Sequence, residues 1–190
     1  MIIGITGPIS SGKGKVAEFF KEKGFTHHSF SAEIREVAKE RGIEINRANL
    51  GKLGHDLRKE SRKSVLGTRI LDTIKKEVKK GKKRFVIEGI RDVAEIRLFR
   101  QHEMENKKMR FILIGVDAMQ KTRFERLKAR GRHGEPNTFI EFKKIDDREI
   151  KGGHGQEVAK CMKMADYTLR NDGTIDDLKK KVKLIVKEIL

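Results

Sequence analysis

The residues best suited to chemistry in this sequence lie close to its amino terminus. Gly7 is followed by four residues and then by Gly12 and Lys13, which gives the spacing G-x-x-x-x-G-K. Glycines let the backbone curl so that successive N–H groups point into one concavity, which can bind phosphate oxygens. The lysine adds a mobile positive charge for the outer phosphates of a nucleotide. The spacing therefore predicts a loop that binds a nucleoside triphosphate.

Two secondary-structure elements must position this loop. The β-branched run over residues 2–6 predicts a strand before the loop, and apolar residues at helical spacing predict a helix after it. The N-terminus of that helix would add partial positive charge to the phosphate site. A glycine-rich turn that binds nothing is the alternative, and the lysine and the flanking elements disfavour it. The predicted nucleotide-binding residues of this loop are Gly7, Pro8, Ile9, Ser10, Ser11, Gly12, Lys13, Gly14 and Lys15.

A second candidate site lies at the end of the hydrophobic run at residues 85–88, whose last residue is Glu88. An acid at the end of a strand could hold water on a Mg²⁺ ion that bridges nucleotide phosphates. Gly89 would allow close approach of the backbone, and Arg91 would lean towards the same site. A simple helix-capping role for Glu88 is the alternative.

Arginines are concentrated on one predicted helix further along the chain. Arg126 and Arg130 are four residues apart and therefore share a face. Guanidinium groups match the equatorial oxygens of a phosphoryl group in transfer, so this pair is a candidate for catalysis. We expect Arg123 and Lys128 to belong instead to a solvated basic surface.

Further candidates lie in three other segments. Arg35 and Arg58 each stand beside apolar residues and suit an acceptor phosphate, although a surface ion pair is nearly as good an interpretation of either. Arg148, like Arg132 and His133, falls in a polar, glycine-bearing segment. Residues 171–174 predict a turn followed by the N-cap of a last helix, and the same loop could contact a purine.

The composition limits the classes of function. The 190 residues include 45 Lys and Arg against 28 Asp and Glu, for a net charge of +17. Such a chain favours polyanions, or it has the Lys- and Glu-rich surface typical of heat-adapted proteins. Cys161 is the only cysteine, which excludes an internal disulfide and a cysteine-rich zinc site. Since we identify neither a membrane-spanning run nor a signal peptide, we expect a cytoplasmic protein.

The distribution of apolar residues predicts an α/β fold. Strand-like runs at residues 2–6, 25–30, 85–88, 111–117 and 166–170 alternate with amphipathic helical segments, as in a parallel sheet of about five strands with helices on both faces. Two segments interrupt the alternation within the single predicted domain, 1–190. Residues 31–81 predict a helical insert, and residues 130–155 show little apolar periodicity and predict a short lid.

These motifs together resemble the P-loop nucleoside monophosphate kinase superfamily, over most of the chain. The closest likeness is to archaeal proteins related to adenylate kinase or dephospho-CoA kinase. The resemblance implies a three-layer P-loop fold, ATP and Mg²⁺ as cofactors, and a small-molecule nucleotide substrate. It further implies that Lys13, Arg91, Arg126 and Arg130 act in catalysis, that Arg126, Asn171, Gly173 and Thr174 surround the adenine, and that Glu88 holds Mg²⁺ through water. Around the acceptor it implies Ser31, Arg35, Arg91 and Arg148, to which the sequence position of Arg58 adds a further candidate.

Two departures from the family pattern bear on the reaction. The family has a hydroxyl directly after the loop lysine or one residue later, whereas this chain has Gly14 and Lys15. Ser31 stands where dephospho-CoA kinases carry an aspartate that accepts a hydroxyl proton, and serine is a poor base. A phosphate acceptor is already largely ionised and needs no such base. We therefore expect transfer of the γ-phosphoryl group of ATP to a nucleoside or deoxynucleoside monophosphate.

Two alternatives to that expectation remain open at this point. One is a dephospho-CoA kinase-like enzyme that phosphorylates a hydroxyl group. The other is a nucleotide-regulated protein that binds nucleic acid and has weak or no kinase activity, which the net charge of +17 would fit. The scarcity of aromatic residues (ten Phe and one Tyr) provides few platforms for base stacking and disfavours nucleic acid.

Overall fold

A computed structural model describes residues 1–59, 64–107, 109–131, 134–151 and 157–190. Its strands form one parallel sheet in the order β2-β3-β1-β4-β5. The strands are β1 (Ile2–Thr6), β2 (Thr26–Ser29), β3 (Phe85–Ile90), β4 (Phe111–Asp117) and β5 (Tyr167–Arg170). The helices are α1 (Lys13–Glu22), α2 (Phe30–Glu40), α3 (Arg47–Lys59), α4 (Val65–Lys79), α5 (Val93–Glu105), α6 (Gln120–Arg130), α7 (Phe139–Lys151), α8 (Val158–Lys163) and α9 (Ile175–Ile189).

The central strands are buried on both faces, which explains their continuous apolar sequence. One face of β1 contributes Ile3 and Ile5 to a core with residues of α1 and α9. The opposite face contributes Ile2 to a second core, which includes residues of α2, α3, α4 and α5. The chain therefore has the predicted α/β architecture, in which helices cover both sides of a parallel sheet.

The predicted strands are confirmed with small changes at their ends. β3 continues past Glu88 to Ile90, because Ile90 pairs with Thr6 after a register shift in β1. Within the described part of residues 31–81, the chain forms α2, α3 and α4 and no strand, as the sequence predicts.

The segment that the sequence predicts as a short lid, residues 130–155, contains a helix despite its weak apolar periodicity. Residues 139–151 form α7, where Phe142 and Asp146 are fully buried. Phe142 packs with Ile9 of the phosphate loop and with Leu127 of α6, in a small third core. Arg132, His133 and residues 152–156 lie outside the described residues. The part of the chain that the structure describes contains no helix long and apolar enough to cross a bilayer.

Candidate functional site

The phosphate loop connects β1 to α1, and its backbone favours glycine at two positions. Gly7 has φ +145°, and a Cβ there would lie 2.1 Å from the carbonyl oxygen of Val116. Gly12 has φ +104°, and a Cβ there would lie 2.2 Å from Nδ2 of Asn171. The contact at Gly7 involves backbone and leaves no room for a side chain, whereas a Cβ at Gly12 would displace the side chain of Asn171. Both φ angles favour glycine. The sequence spacing therefore reflects a backbone packed tightly against two neighbouring elements.

Lys13 lies over this loop at the first turn of α1. Its Nζ donates hydrogen bonds to the carbonyl oxygens of Gly7 (2.8 Å) and Pro8 (2.6 Å). Burial, assisted by the positive charge of Arg91, lowers the pKa of Lys13 to about 7. An anion bound in the loop would favour the charged form of this amine, because an opposite charge raises the pKa of an ammonium group.

Two hydroxyl groups of the same loop are buried without a hydrogen-bond partner among the described residues: Oγ of Ser10 and Oγ of Ser11. Ser10 also has a positive φ of 58°, which is uncommon outside glycine. A buried polar group without a partner costs about 1–3 kcal/mol. Such groups fit a loop that takes up a ligand rich in oxygen acceptors.

Glu88 and Arg91 lie near Lys13, at the carboxyl end of β3. Burial alone would raise the pKa of Glu88, but its contact with His27 and the charges of Lys13 and Arg91 lower it, so the carboxyl group is ionised at neutral pH. Oε2 of Glu88 lies 3.6 Å from Nε2 of His27. Arg91 forms an ion pair with Glu149 of α7, in which Nη1 and Oε2 are 3.2 Å apart. The structure therefore brings two cations and two carboxylates to the mouth of the phosphate loop.

The last loop of the chain packs against the phosphate loop and α6. Nδ2 of Asn171 donates to the carbonyl oxygen of Ser11 at 2.8 Å, in a buried contact. Arg126 donates to the carbonyl oxygens of Asn171 (2.8 Å) and Gly173 (3.3 Å). Thr174 forms the predicted N-cap of α9, in a capping box with Asp177. The structure thus brings together Arg126 and residues 171–174, which the resemblance assigns to the adenine.

Arg123 is not part of a solvated basic surface, and that expectation is wrong. Its side chain is buried and forms an ion pair with Asp146 of α7. It also donates to the carbonyl oxygens of Ala118 (2.9 Å) and Ile9 (3.3 Å). Helix periodicity shows which face of α6 the residue occupies but not that α7 covers this face. Arg123 therefore joins α6, α7 and the phosphate loop.

Arg58 also differs from the prediction that it binds an acceptor. Only 5% of its side chain is exposed, and its Nε donates to Oε1 of the fully buried Glu95 at 3.0 Å. The other oxygen of Glu95 accepts the backbone N–H groups of Arg91 (2.9 Å) and Asp92 (3.2 Å). The geometry thus assigns Arg58 to the support of the segment that carries Arg91, because its charge is already paired inside the protein.

The remaining predicted residues lie around the rim of the site. Arg35 is half-buried near the start of α2 and donates to Oγ of Ser31 at 2.8 Å. Arg130 pairs with Glu135, so its guanidinium is engaged close to its own helix. Arg148 lies on α7 and is exposed. These three arginines are accessible, whereas Arg58 and Arg123 are not.

The sequence did not predict a role in the site for three acidic residues of this region: Glu95, Asp146 and Glu149. Asp92 and Glu95 have the spacing of a capping box, which the structure forms at the start of α5, so that signal was present in the sequence. Asp146 and Glu149 depend on the position of α7, for which the sequence provides no comparable signal. All three hold an arginine in place.

Comparisons with known proteins identify the family and the fold of this chain. A family model described as an AAA domain matches residues 3–150. A UPF0200 protein of Thermococcus gammatolerans is 35% identical over 190 residues, which cover 100% of this chain and 96% of that protein. The chain belongs to the UPF0200 family. Another member, from Pyrococcus horikoshii, is 34% identical over 100% of this chain and 98% of its own length.

Solved structures of kinases share the fold of this UPF0200 protein. A dephospho-CoA kinase from Campylobacter jejuni superposes with a TM-score of 0.56 at 17% identity, over 99% of this chain and 97% of its own. A shikimate kinase from Aquifex aeolicus superposes with a TM-score of 0.53 at 16% identity, over 99% and 97%. At these identities the likeness shows the fold, which is that of the P-loop kinases. This fold fits a phosphotransferase that binds a nucleotide.

Proposed function

We propose that this UPF0200 protein transfers the γ-phosphoryl group of ATP to a nucleoside or deoxynucleoside monophosphate. The observation that carries the proposal is the meeting of Lys13, Glu88 and Arg91 at the mouth of a glycine-rich loop. The buried hydroxyl groups of Ser10 and Ser11 in this loop have no hydrogen-bond partner among the described residues. Phosphoryl transfer requires this kind of arrangement, since the protein contributes mainly positioning and neutralisation of charge.

The donor would lie along the phosphate loop, residues 7–15. Backbone N–H groups and Lys13 would bind its phosphates, and the base would lie between Arg126 and the loop at residues 171–174. Asn171 supports this arrangement, since its side chain links that loop to Ser11. Glu88, an ionised carboxylate, fits a role in holding Mg²⁺ through water, and Mg²⁺ when bound neutralises charge on the transferred phosphate.

The acceptor would lie on the opposite side of the phosphate loop. Arg91 would bind its phosphate, with Arg35 at the start of α2 and Arg148 on α7 as further contacts. Arg91 is presented by a segment whose backbone N–H group is held by the buried Glu95. An acceptor phosphate attacks with an oxygen that is already ionised, so no side chain has to remove a proton. Arg130 lies at the end of α6, where the predicted lid begins, and would bind the transferred phosphoryl group when the lid closes.

A second candidate function is the phosphorylation of a hydroxyl group, as in the dephospho-CoA kinase-like alternative. One observation favours it: Glu149 places a carboxylate within 3.2 Å of Arg91 and close enough to influence the pKa of Lys13. A carboxylate at that place could accept the proton of an attacking hydroxyl, which Ser31 cannot do. Two of the predicted acceptor arginines, Arg58 and Arg91, also already face glutamates.

A panel of acceptors, incubated with ATP and Mg²⁺ and analysed by mass spectrometry, tests both candidates. Ribo- and deoxyribonucleoside monophosphates and dephospho-CoA would be offered in parallel, with Lys13→Ala as the inactive control. If the proposal is correct, a nucleoside or deoxynucleoside monophosphate is converted to the corresponding diphosphate. Preferential phosphorylation of dephospho-CoA would support the second candidate. Transfer to no acceptor, together with nucleic-acid binding that weakens steeply with salt, would contradict both.

A further inference from the structure

A strongly basic run connects α4 to β3, away from the nucleotide site. Residues 79–84 have the sequence Lys-Lys-Gly-Lys-Lys-Arg, which places five cations among six residues and contains no acid. All six residues are exposed. Short runs rich in lysine and arginine are typical of surfaces that bind nucleic acid or another polyanion. The phosphotransfer proposed above makes no use of this run.

The end of α4 fixes the shape of the basic run. The N–H group of Gly81 donates to the carbonyl oxygen of Val78 at 2.9 Å, and that of Lys82 donates to the carbonyl oxygen of Glu77 at 3.1 Å. With φ +89° at Gly81, these bonds form a Schellman motif. Cations are favoured near the C-terminus of a helix, but only within its last turn. That effect accounts for the first two lysines of the run and not for the three cations that follow Gly81.

A surface of paired charges, as in heat-adapted proteins, does not explain the run either. Such a pair occurs on α2, where Lys39 lies 2.8 Å from the carboxylate of Glu36, three residues earlier. The acidic residue nearest to the run in the sequence is Glu77, and its carboxylate lies 2.8 Å from the ring of His28. The run therefore concentrates positive charge without an acidic residue of its own.

The sheet brings two further lysines beside the run, from the connection between α1 and β2. The N–H group of Thr26, at the start of β2, donates to the carbonyl oxygen of Arg84 at 2.9 Å. Lys21 and Lys23 lie a few residues before Thr26, and both are exposed. The acid between them, Glu22, pairs with a lysine of α9 at 3.2 Å. Positive charge therefore continues from the run onto the connection before β2.

The amino ends of β1 and β4 extend the same surface in the other direction. The N–H group of Phe85 donates to the carbonyl oxygen of Met1 at 2.9 Å, and that of Ile2 donates to the carbonyl oxygen of Arg110 at 2.7 Å. Arg110 is exposed just before β4. Since neighbouring strands lie about 4.8 Å apart, the cations before β2, β3 and β4 extend over about 14 Å. We call residues 79–84, Lys21, Lys23 and Arg110 the amino-end surface.

The amino-end surface and the phosphate loop lie at opposite ends of β1. The four residue steps from Ile2 to Thr6 separate them by at least about 13 Å. We propose that the amino-end surface binds the phosphodiester backbone of a double-stranded nucleic acid, independently of the nucleotide site. The chain would then have two separate sites for anions, one for a nucleotide and one for a polymer. This inference does not depend on the proposed function.

The chemistry of the surface favours a duplex over a single strand. The aromatic rings at this end of the sheet, Phe25, Phe85 and Phe111, are buried, so they offer the bases nothing to stack on. The scarcity of aromatic residues thus disfavours recognition of bases but not of phosphates. A duplex carries one negative charge per about 1.7 Å of its axis, and phosphate contacts are independent of base sequence. A basic membrane site is typically part of an amphipathic helix or lies next to a membrane-spanning helix, whereas these cations lie where connections enter a sheet.

Fluorescence anisotropy of labelled DNA and RNA duplexes of about 20 base pairs tests the proposal, with salt varied between about 50 and 200 mM. The wild type should bind both duplexes, whatever their base sequence. The logarithm of the association constant should fall linearly with the logarithm of the salt concentration. The double variant Lys82→Gln, Lys83→Gln should reduce that slope by about 2 and raise the Kd at least about tenfold near 0.1 M salt, because it removes two phosphate contacts.

Two further variants show whether charge at this particular surface is responsible. Lys82→Arg, Lys83→Arg keeps both charges and should bind like the wild type. The matched control Lys121→Gln, Lys143→Gln removes two charges from exposed positions on α6 and α7, at the nucleotide-site end of the sheet, and should also bind like the wild type. Circular dichroism would confirm that every variant is folded. A saturating β,γ-imido analogue of ATP with Mg²⁺ should leave the affinity for duplex unchanged.

Several results would overturn the inference. A wild type that does not bind either duplex at about 50 mM salt would do so, as would an equal loss of affinity in the Gln variant and its control, which would indicate a diffuse attraction. Displacement of the duplex by the ATP analogue would place the nucleic acid in the nucleotide site instead. Sedimentation with vesicles of phosphatidylcholine and phosphatidylserine provides the last comparison, because binding to vesicles without binding to duplex would indicate a membrane surface. None of these results bears on phosphoryl transfer, which the panel of acceptors tests separately.

Discussion

The ion pair between Arg91 and Glu149 yields the sharpest prediction about the acceptor. If Arg91 binds an acceptor phosphate, that phosphate must compete with the carboxylate of Glu149, whose Oε2 lies 3.2 Å from Nη1. Replacing Glu149 by Gln removes the competing charge and keeps the shape of the side chain. The variant should therefore bind nucleoside monophosphates more tightly.

The size of the effect follows from the distance and the exposure. At 3.2 Å and an effective dielectric constant of about 20, the attraction between the two charges is about 5 kcal/mol. The side chains of Arg91 and Glu149 are 26% and 16% exposed, so hydration and screening reduce the net contribution to about 1 kcal/mol. Release of that amount corresponds to about a fivefold decrease in the Kd of the acceptor.

Isothermal titration calorimetry with a panel of monophosphates would measure this change, and steady-state kinetics would measure turnover. Tighter binding of the acceptor by Glu149→Gln supports its role as a competitor for Arg91. An unchanged Kd with turnover reduced by about 100-fold or more would show that Glu149 accepts a proton, which supports a hydroxyl acceptor. Weaker binding of every monophosphate would refute the reasoning, because Glu149 would then assist the acceptor.

Three further predictions concern the nucleotide site and its support. Burial lowers the pKa of Lys13 to about 7, and only the charged form of its amine attracts phosphate. The affinity for ATP should therefore fall about tenfold between pH 7.5 and pH 8.5. Calorimetry in buffers of different ionisation enthalpy should show that the protein takes up a proton when it binds ATP. Asp146→Asn should lower the free energy of unfolding, measured by urea titration, by about 3–5 kcal/mol, because the buried charge of Arg123 loses its partner. The control is Glu36→Gln, which removes an exposed ion pair with Lys39 and should change the free energy of unfolding by less than about 0.5 kcal/mol. Asn171→Ala, which removes the buried contact to Ser11, should weaken nucleotide binding measured by fluorescence titration, by about 1–3 kcal/mol.

The phosphate loop was predictable because its determinants are local. Gly7, Gly12 and Lys13 lie within seven residues, and each is needed for a backbone conformation or a charge at a fixed spacing. The alternation of apolar runs predicted the strands for a similar reason, since burial on both faces requires continuous apolar sequence. The capping box at Thr174 is likewise a short-range pattern.

The partners of the arginines could not be predicted in the same way. Arg123 and Asp146 are 23 residues apart, Arg58 and Glu95 are 37 apart, and Arg91 and Glu149 are 58 apart. Sequence periodicity indicates the face of a helix on which an arginine lies, but not whether another element covers that face. The position of α7 decides two of these three pairs, and its docking depends on the buried Phe142 and Asp146.

The neighbourhood of Glu88 and Gly14 was predictable in part. The missing hydroxyl at Gly14 was evident from the sequence, and Glu88 was a candidate because it ends a hydrophobic strand. The approach of its carboxylate to Gly14 depends on the pairing of β1 with β3, in which Ile5 lies opposite Glu88. Only the three-dimensional register shows that these two residues lie side by side.

The central claim, that the loop at residues 7–15 binds the triphosphate of ATP, is tested most directly by calorimetry of ATP with Mg²⁺. Wild-type protein should bind one ATP per chain. Lys13→Ala, shown by circular dichroism to be folded, should bind at least about 30-fold more weakly, because it loses a charge-assisted contact of about 2 kcal/mol or more. Equal affinity in the two proteins, or no binding to the wild type, would contradict the account.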